Sequence, residues 1–262
     1  MRFEQRFALI AALALGLALA WGSGAAAQTQ TGGGAGAGTG TGAPAPAAPD
    51  HGDTMDMPFA KPDTSYREDE DQYDEGDVTF YDEDVPTRGD SLYFVIDISG
   101  SMSWGTYSYT GLDGNTTTGN RLDRAKVELV RAISALTEDF HFNVVAYHCS
   151  SSRWRPQRVQ ATPENKASAS AWVNALEATG ATGTGPAVAL ALSDKENFTV
   201  VLLSDGAPNC GASGFSGHLN MINSANTQGA VINTFGIGAY GEFENFLRQV
   251  AEMNGGTYVP VN

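Results

Sequence analysis

Leu92-Tyr93-Phe94-Val95-Ile96-Asp97-Ile98-Ser99-Gly100-Ser101 runs five apolar or aromatic residues straight into an acidic, hydroxyl-rich turn. An unbroken apolar run of this length suits a central strand covered on both faces, as in a parallel sheet. The chain downstream repeats the pattern. Phe142 to Tyr147, Phe198 to Leu203, Val231 to Phe235 and Thr257 to Val261 read as further strands. Arg155 to Gln160, with its charges and Pro156, suits an antiparallel strand at an exposed edge. Between them lie helical patterns. Leu122, Ala125, Leu129, Ile133 and Leu136 recur at helical spacing behind a capping Asn120 with Asp123 three residues on. Ala169 to Ala178, a segment from Pro186, Gly217 to Thr227, and Gly241 to Met253 supply the others. Strands alternating with helices predict an α/β fold: a doubly wound, mostly parallel central sheet with helices on both faces.

Upstream the composition changes. Gln28 to Gly89 holds fourteen of the chain's 30 acidic residues against Lys61, Arg67 and Arg88, together with Gly/Ala/Pro-rich low-complexity sequence. Such a segment buries too little apolar surface to offset chain entropy, so residues 28–89 are expected to be a disordered linker. Ahead of it, Arg2 and Arg6 flank an apolar stretch from Phe7 to Trp21, shorter than the ~20 residues of a comfortable membrane span. Ala25-Ala26-Ala27 then offers small residues for cleavage, so residues 1–27 read as a signal peptide. The expected location is secreted, periplasmic or cell-surface, with an uncleaved membrane anchor as the alternative. That leaves 90–262 as one globular domain. The net charge of −15 comes without any basic stripe, which disfavours nucleic acid as a partner.

Ligands of open α/β sheets bind beyond the carboxyl ends of the strands. Three segments at that edge carry oxygen: Asp97-Ile98-Ser99-Gly100-Ser101, Gly180-Ala181-Thr182-Gly183-Thr184-Gly185, and Ser204-Asp205-Gly206. Three hydroxyls and two carboxylates are a donor set for a hard divalent cation such as Mg2+.

With those residues in place, the sequence resembles the von Willebrand factor type A (vWA) family and its metal-ion-dependent adhesion site. Asp97-Ile98-Ser99-Gly100-Ser101 matches the family's Asp-x-Ser-x-Ser element, Thr182 its isolated Thr, and Asp205 its later Asp. The resemblance implies that Ser99, Ser101 and Thr182 coordinate Mg2+ (or Ca2+ or Mn2+) directly, with Asp97 and Asp205 acting through water. It also implies a Rossmann-like vWA fold and a protein or extracellular-matrix partner that presents an acidic residue to the metal. A membrane partner is expected only if the apolar leader is retained.

The segment from Ser103 to Gly119 is long for the family. Its Trp104, Tyr107 and Tyr109 are candidate partner contacts at the rim, since Trp and Tyr are favoured anchors. Asp113-Gly114-Asn115 is compatible with a second calcium site or with an ordinary turn. Cys149 and Cys210 both fall at the metal edge of an exported chain, so a disulfide between them is expected. His51, His141, His148 and His218 show no ligand spacing, and any that approach the site are expected at its rim. No Gly-x-Ser-x-Gly elbow and no Gly-x-x-x-x-Gly-Lys element is present, so the expectation is a binding module and no enzyme. The alternatives are a scaffold subunit of an envelope assembly with a structural metal and a metal-assisted hydrolase.

Overall fold

The structure, a computed structural model, describes residues 78–262 apart from position 207. The chain divides into two units, Met1–Lys61 and Pro62–Asn262, and every described residue belongs to the second. The expected leader, and the linker up to residue 77, lie outside the described residues.

A small antiparallel hairpin, Thr79–Phe80 (β1) and Glu83–Asp84 (β2), comes first. Its two turn residues, Tyr81 and Asp82, both have positive φ, the backbone of a tight hairpin turn. Ser91–Asp97 (β3) is the first long strand, followed by a 3-10 turn at Gly100–Ser103. Tyr107–Thr110 (β4) and Thr116–Gly119 (β5) pair as a second hairpin, and Arg121–Ala135 forms α1. Next come His141–Tyr147 (β6), Ser151–Arg153 (β7), Val159–Gln160 (β8), Pro163–Asn174 (α2) and Thr184–Ala191 (α3). Thr199–Ser204 (β9), Gly214–Ala225 (α4), Val231–Ile237 (β10), Glu242–Glu252 (α5) and Tyr258–Val261 (β11) complete the chain.

The main sheet runs β11-β10-β9-β3-β6-β7, with β8 also paired to β6. Its five long strands are parallel, while β7 and β8 add antiparallel to the edge of β6. This is the expected α/β class with an antiparallel margin. That margin is two short strands instead of one run from Arg155 to Gln160, and Pro156 lies in the break between them.

Period-two alternation sends each strand's side chains to opposite layers. On one face Leu92, Phe94 and Ile96 join Phe142, Val144, Val201 and Phe235 under α1 and α2. On the other, Tyr93 and Val95 join Val145, Val200, Leu202 and Ile232 under α3, α4 and α5. The first face needs a third cover, and the β1–β2 hairpin provides it. Phe80 lies 4.9 Å from Phe235 and 6.1 Å from Phe94 between ring centroids, and Val78, Val85 and Thr87 are buried with it. Residues 78–89 therefore belong to the packed body, and the boundary expected at Asp90 falls inside it. The acidic composition of that stretch hid a short apolar alternation.

Local chemistry explains the helix starts. Asn120 accepts from the Asp123 amide at 2.9 Å and Asp123 accepts from the Asn120 amide at 2.9 Å, a reciprocal cap on α1. Thr162 caps α2 ahead of Pro163, so that helix spans 163–174 where apolar periodicity suggested Ala169 to Ala178. Similarly, α3 opens at Thr184, two residues before the expected Pro186.

Candidate metal centre

β3 leads into β6 on one side of the sheet, and the chain then returns to β9 on the other side of β3. The reversal of strand order between the parallel β3 and β9 opens a crevice at their carboxyl ends, where such folds place ligands. Asp97 ends β3 and Asp205 follows β9, so the two carboxylates meet across it.

Asp97 is fully buried and accepts three bonds. The Ser99 amide donates to Oδ1 at 2.8 Å, while Ser204 Oγ and the Tyr147 hydroxyl donate to Oδ2 at 2.6 and 3.3 Å. Burial, and then the charge of Asp205, nevertheless push its pKa up to about 6. The same burial, with the Asp97 charge beside it, raises the Tyr147 phenol. Ser99 and Ser101 bring their hydroxyl oxygens within 3.2 Å of each other.

The Thr182 loop is sewn onto this turn. Gly100 N–H donates to the Gly180 carbonyl at 2.9 Å, and Thr179 N–H to the Ile98 carbonyl at 2.7 Å. On its other side, Thr182 N–H donates to Asn209 Oδ1 at 2.8 Å, while its carbonyl accepts from the Asn209 and Cys210 amides. A disulfide joins Cys149 to Cys210 with Cα atoms 5.7 Å apart, and Gly183 N–H donates to the His148 carbonyl at 2.8 Å. The loops after β6 and β9 thus grip the buried Thr182 between them. Gly206, at φ 80°, is required where the β9 loop turns: a Cβ there would lie 2.5 Å from the Phe243 carbonyl oxygen.

One residue outside the motif shapes the site. Arg121, the first residue of α1, donates from Nη1 to Asp205 Oδ2 at 3.0 Å and to the Ser101 carbonyl at 3.3 Å. Its Nη2 donates to the Gly238 carbonyl at 3.1 Å, and its Nε to the Tyr107 hydroxyl at 3.3 Å. Asp205 Oδ1 is buried and has no hydrogen-bond partner among the described residues. A buried carboxylate oxygen left unpartnered is costly unless a cation or water meets it. Two buried carboxylates, one orphaned oxygen and the paired Ser99 and Ser101 hydroxyls would fit a hard divalent cation, which Ser99, Ser101, Thr182, Asp97 and Asp205 could hold. Among the described residues no group of three or more His, Cys, Asp or Glu side chains converges.

Around the mouth, Ser101, Trp104, Arg121, Asp205, Tyr240 and Phe243 line a cavity of about 70 Å³. Trp104 and Tyr240 are 65% and 68% exposed, large values for aromatic side chains. Of the expected rim residues, Trp104 lines this mouth, and Tyr107 stands behind it with its hydroxyl accepting from Arg121. Tyr109 instead lines a larger cleft shared with Tyr81 and Arg124. Tyr240 was not foreseen, because one aromatic between two strand-end glycines carries no periodic signal. Arg121 did leave a signal: a cation on the first turn of a helix opposes the helix dipole and must be held by something else. His148 lies over Gly180 beside the site, but His218 is not at the rim: it is buried beneath α3, its Nδ1 accepting from the Gly185 amide at 2.9 Å.

The von Willebrand factor type A domain family matches residues 116–259. Inter alpha-trypsin inhibitor heavy chain 4 of Mus musculus is 30% identical over 144 residues, which are 50% of this chain and 14% of the relative. Inter-alpha-trypsin inhibitor heavy chain H4 of Homo sapiens is 26% identical over 189 residues, 68% of this chain and 19% of the relative. The chain therefore spans less than a fifth of the length of these curated relatives. Among solved structures, a von Willebrand factor type A protein from Catenulispora acidiphila gives a TM-score of 0.54 at 23% identity, covering 68% of this chain and 40% of that one. The pilus adhesin SpaC from Lactobacillus rhamnosus GG gives 0.51 at 11% identity, covering 66% and 28%. These likenesses show the fold.

Proposed function

Because the chain belongs to the von Willebrand factor type A domain family, we propose that it is an exported binding protein. It takes a protein or matrix partner through a divalent cation, Mg2+ or else Ca2+ or Mn2+, held by Asp97, Ser99, Ser101, Thr182 and Asp205. One observation carries this reading: two buried carboxylates and converging hydroxyls meet at the sheet's switch point, with Asp205 Oδ1 orphaned. A bound cation would supply a positive centre for an acidic oxygen of the partner. The chain's own residues do the rest. Ser204 and Tyr147 occupy Asp97 Oδ2 and the Ser99 amide fixes Oδ1, so the carboxylate is held in place with Oδ1 still able to accept from a cation-bound water. Trp104 and Tyr240 stand exposed at the mouth to bury apolar surface of the partner.

Asp97 already accepts three hydrogen bonds and Asp205 is shared between Arg121 and the proposed cation, so the chain is proposed as a binder and no enzyme. Export is inferred from the sequence of residues 1–27, read as a leader; among the described residues no helix is long and apolar enough to cross a membrane. The test is titration of the purified chain with Mn2+, followed by capture from envelope or culture fractions in Mg2+ and in chelator. One Mn2+ site is expected, lost in Asp97→Asn, with capture lost in chelator. Capture that survives both chelator and Asp97→Asn would sink the reading.

A further inference from the structure

We propose that Arg121 is the charge-setting residue of the metal centre: it takes up one oxygen of Asp205 and lowers the site's affinity for the cation. The inference rests on the metal-binding reading above. Arg121 reaches four acceptors contributed by four separate segments: the Ser101 turn, the loop after β9, Gly238 after β10, and Tyr107 of β4. Its side chain is 13% exposed and that of Asp205 4%, so the pair is largely withdrawn from water and weakly screened. With Oδ2 occupied by the guanidinium, Oδ1 is the one oxygen of Asp205 left for a cation or its water. The donor set then carries two carboxylate charges against one fixed positive charge. A divalent cation enters a site of net charge −1 and leaves it at +1, a surplus that an acidic partner can neutralise. Without Arg121 the same cation would meet two uncompensated carboxylates.

A plain structural clamp predicts the opposite response to substitution, which makes the two separable. Mn2+ binding is measured on wild type, Arg121→Met and Arg121→Lys, with circular dichroism confirming that each folds. Arg121→Met keeps the length and loses the charge, so Mn2+ should bind about tenfold tighter. Arg121→Lys keeps the charge but cannot span four acceptors, and its affinity should stay within about threefold of wild type. Equal weakening in both variants, or no tightening in Arg121→Met, overturns the proposal. If Arg121→Met does not fold, Arg121→Lys decides: wild-type affinity supports the charge role, and a loss beyond about threefold refutes it. Failure of wild type and both variants alike to bind Mn2+ refutes the metal reading itself, and this proposal with it.

Discussion

Asp205 has two jobs that a single substitution cannot separate. In the proposed metal reading it offers an oxygen to the cation, and it neutralises Arg121, whose side chain is only 13% exposed. Replacing Asp205 by Ala strands that guanidinium, and breaking such a buried pair costs roughly 3–5 kcal/mol. Urea unfolding should show that loss in Asp205→Ala and a partial recovery in the double variant Arg121→Met/Asp205→Ala; additive losses would mean the two side chains are not coupled. His218 offers a second residue-level test. Burial lowers its pKa from the ordinary 6.5, so the fold favours the neutral ring. Its contribution is present above the unfolded-state pKa and is lost as pH falls below 6.5 towards the lower folded value. Asp97, raised to about 6, works in the other sense: lowering the pH through 6 relieves its buried charge. The comparison must therefore be between wild type and His218→Gln, which keeps an acceptor for the Gly185 amide. The variant should lose less stability between pH 7.5 and about 5.5, read from urea midpoints; parallel pH profiles would show that His218 does not titrate in that range.

At the scale of elements, most of the fold was legible because its signals are local. The apolar run of β3, the reciprocal Asn120–Asp123 cap and the helical spacing of α1 each state their structure without reference to the remainder. Misplaced boundaries came from elements whose starts are set by single residues, as Thr162 sets α2, and the β4–β5 hairpin inside the Ser103–Gly119 segment went unread because its pairing is cross-strand. The Asp-x-Ser-x-Ser turn was readable for the same local reason. Tyr240 was not, because it reaches the site from a distant part of the chain; Asn209, in the same loop as Asp205, is a lone loop Asn whose bond to Thr182 no local pattern announces, and Arg121 left only its unfavourable place on the first turn of α1. The Cys149–Cys210 link is intermediate: two cysteines at strand ends suggested it, and the structure adds that it closes over the Thr182 loop. Removing it should cost up to about 4 kcal/mol in the chain-entropy view of a 61-residue separation. Because Cys210 N–H also bonds the Thr182 carbonyl, Cys149→Ala/Cys210→Ala should lose Mn2+ affinity as well as stability. Unchanged Mn2+ affinity in the folded variant would confine the disulfide to a purely stabilising role.

For the molecule as a whole, the two faces of the sheet set different requirements. One face is closed by three helices, α3, α4 and α5, while the other has only α1 and α2. The uncovered strip beside α1 includes Phe94 and Phe235, both nearly inaccessible in the structure because Phe80, Val78 and Val85 lie on them. A two-stranded hairpin of this size is marginal in isolation, so its order must come from that contact. The dependence runs both ways: without the hairpin, two core phenylalanines would face water on the flank of the strands that carry Asp97 and the approach to the metal mouth. A chain trimmed to begin at Asp90 should therefore melt well below one beginning at Pro62 and should bind a hydrophobic dye. Phe80→Ala in the full chain should lose about 3–5 kcal/mol, the usual cost of emptying a buried phenylalanine site. Equal melting temperatures for the two trimmed chains, together with a loss under about 1 kcal/mol in Phe80→Ala, would return residues 78–89 to the role of linker.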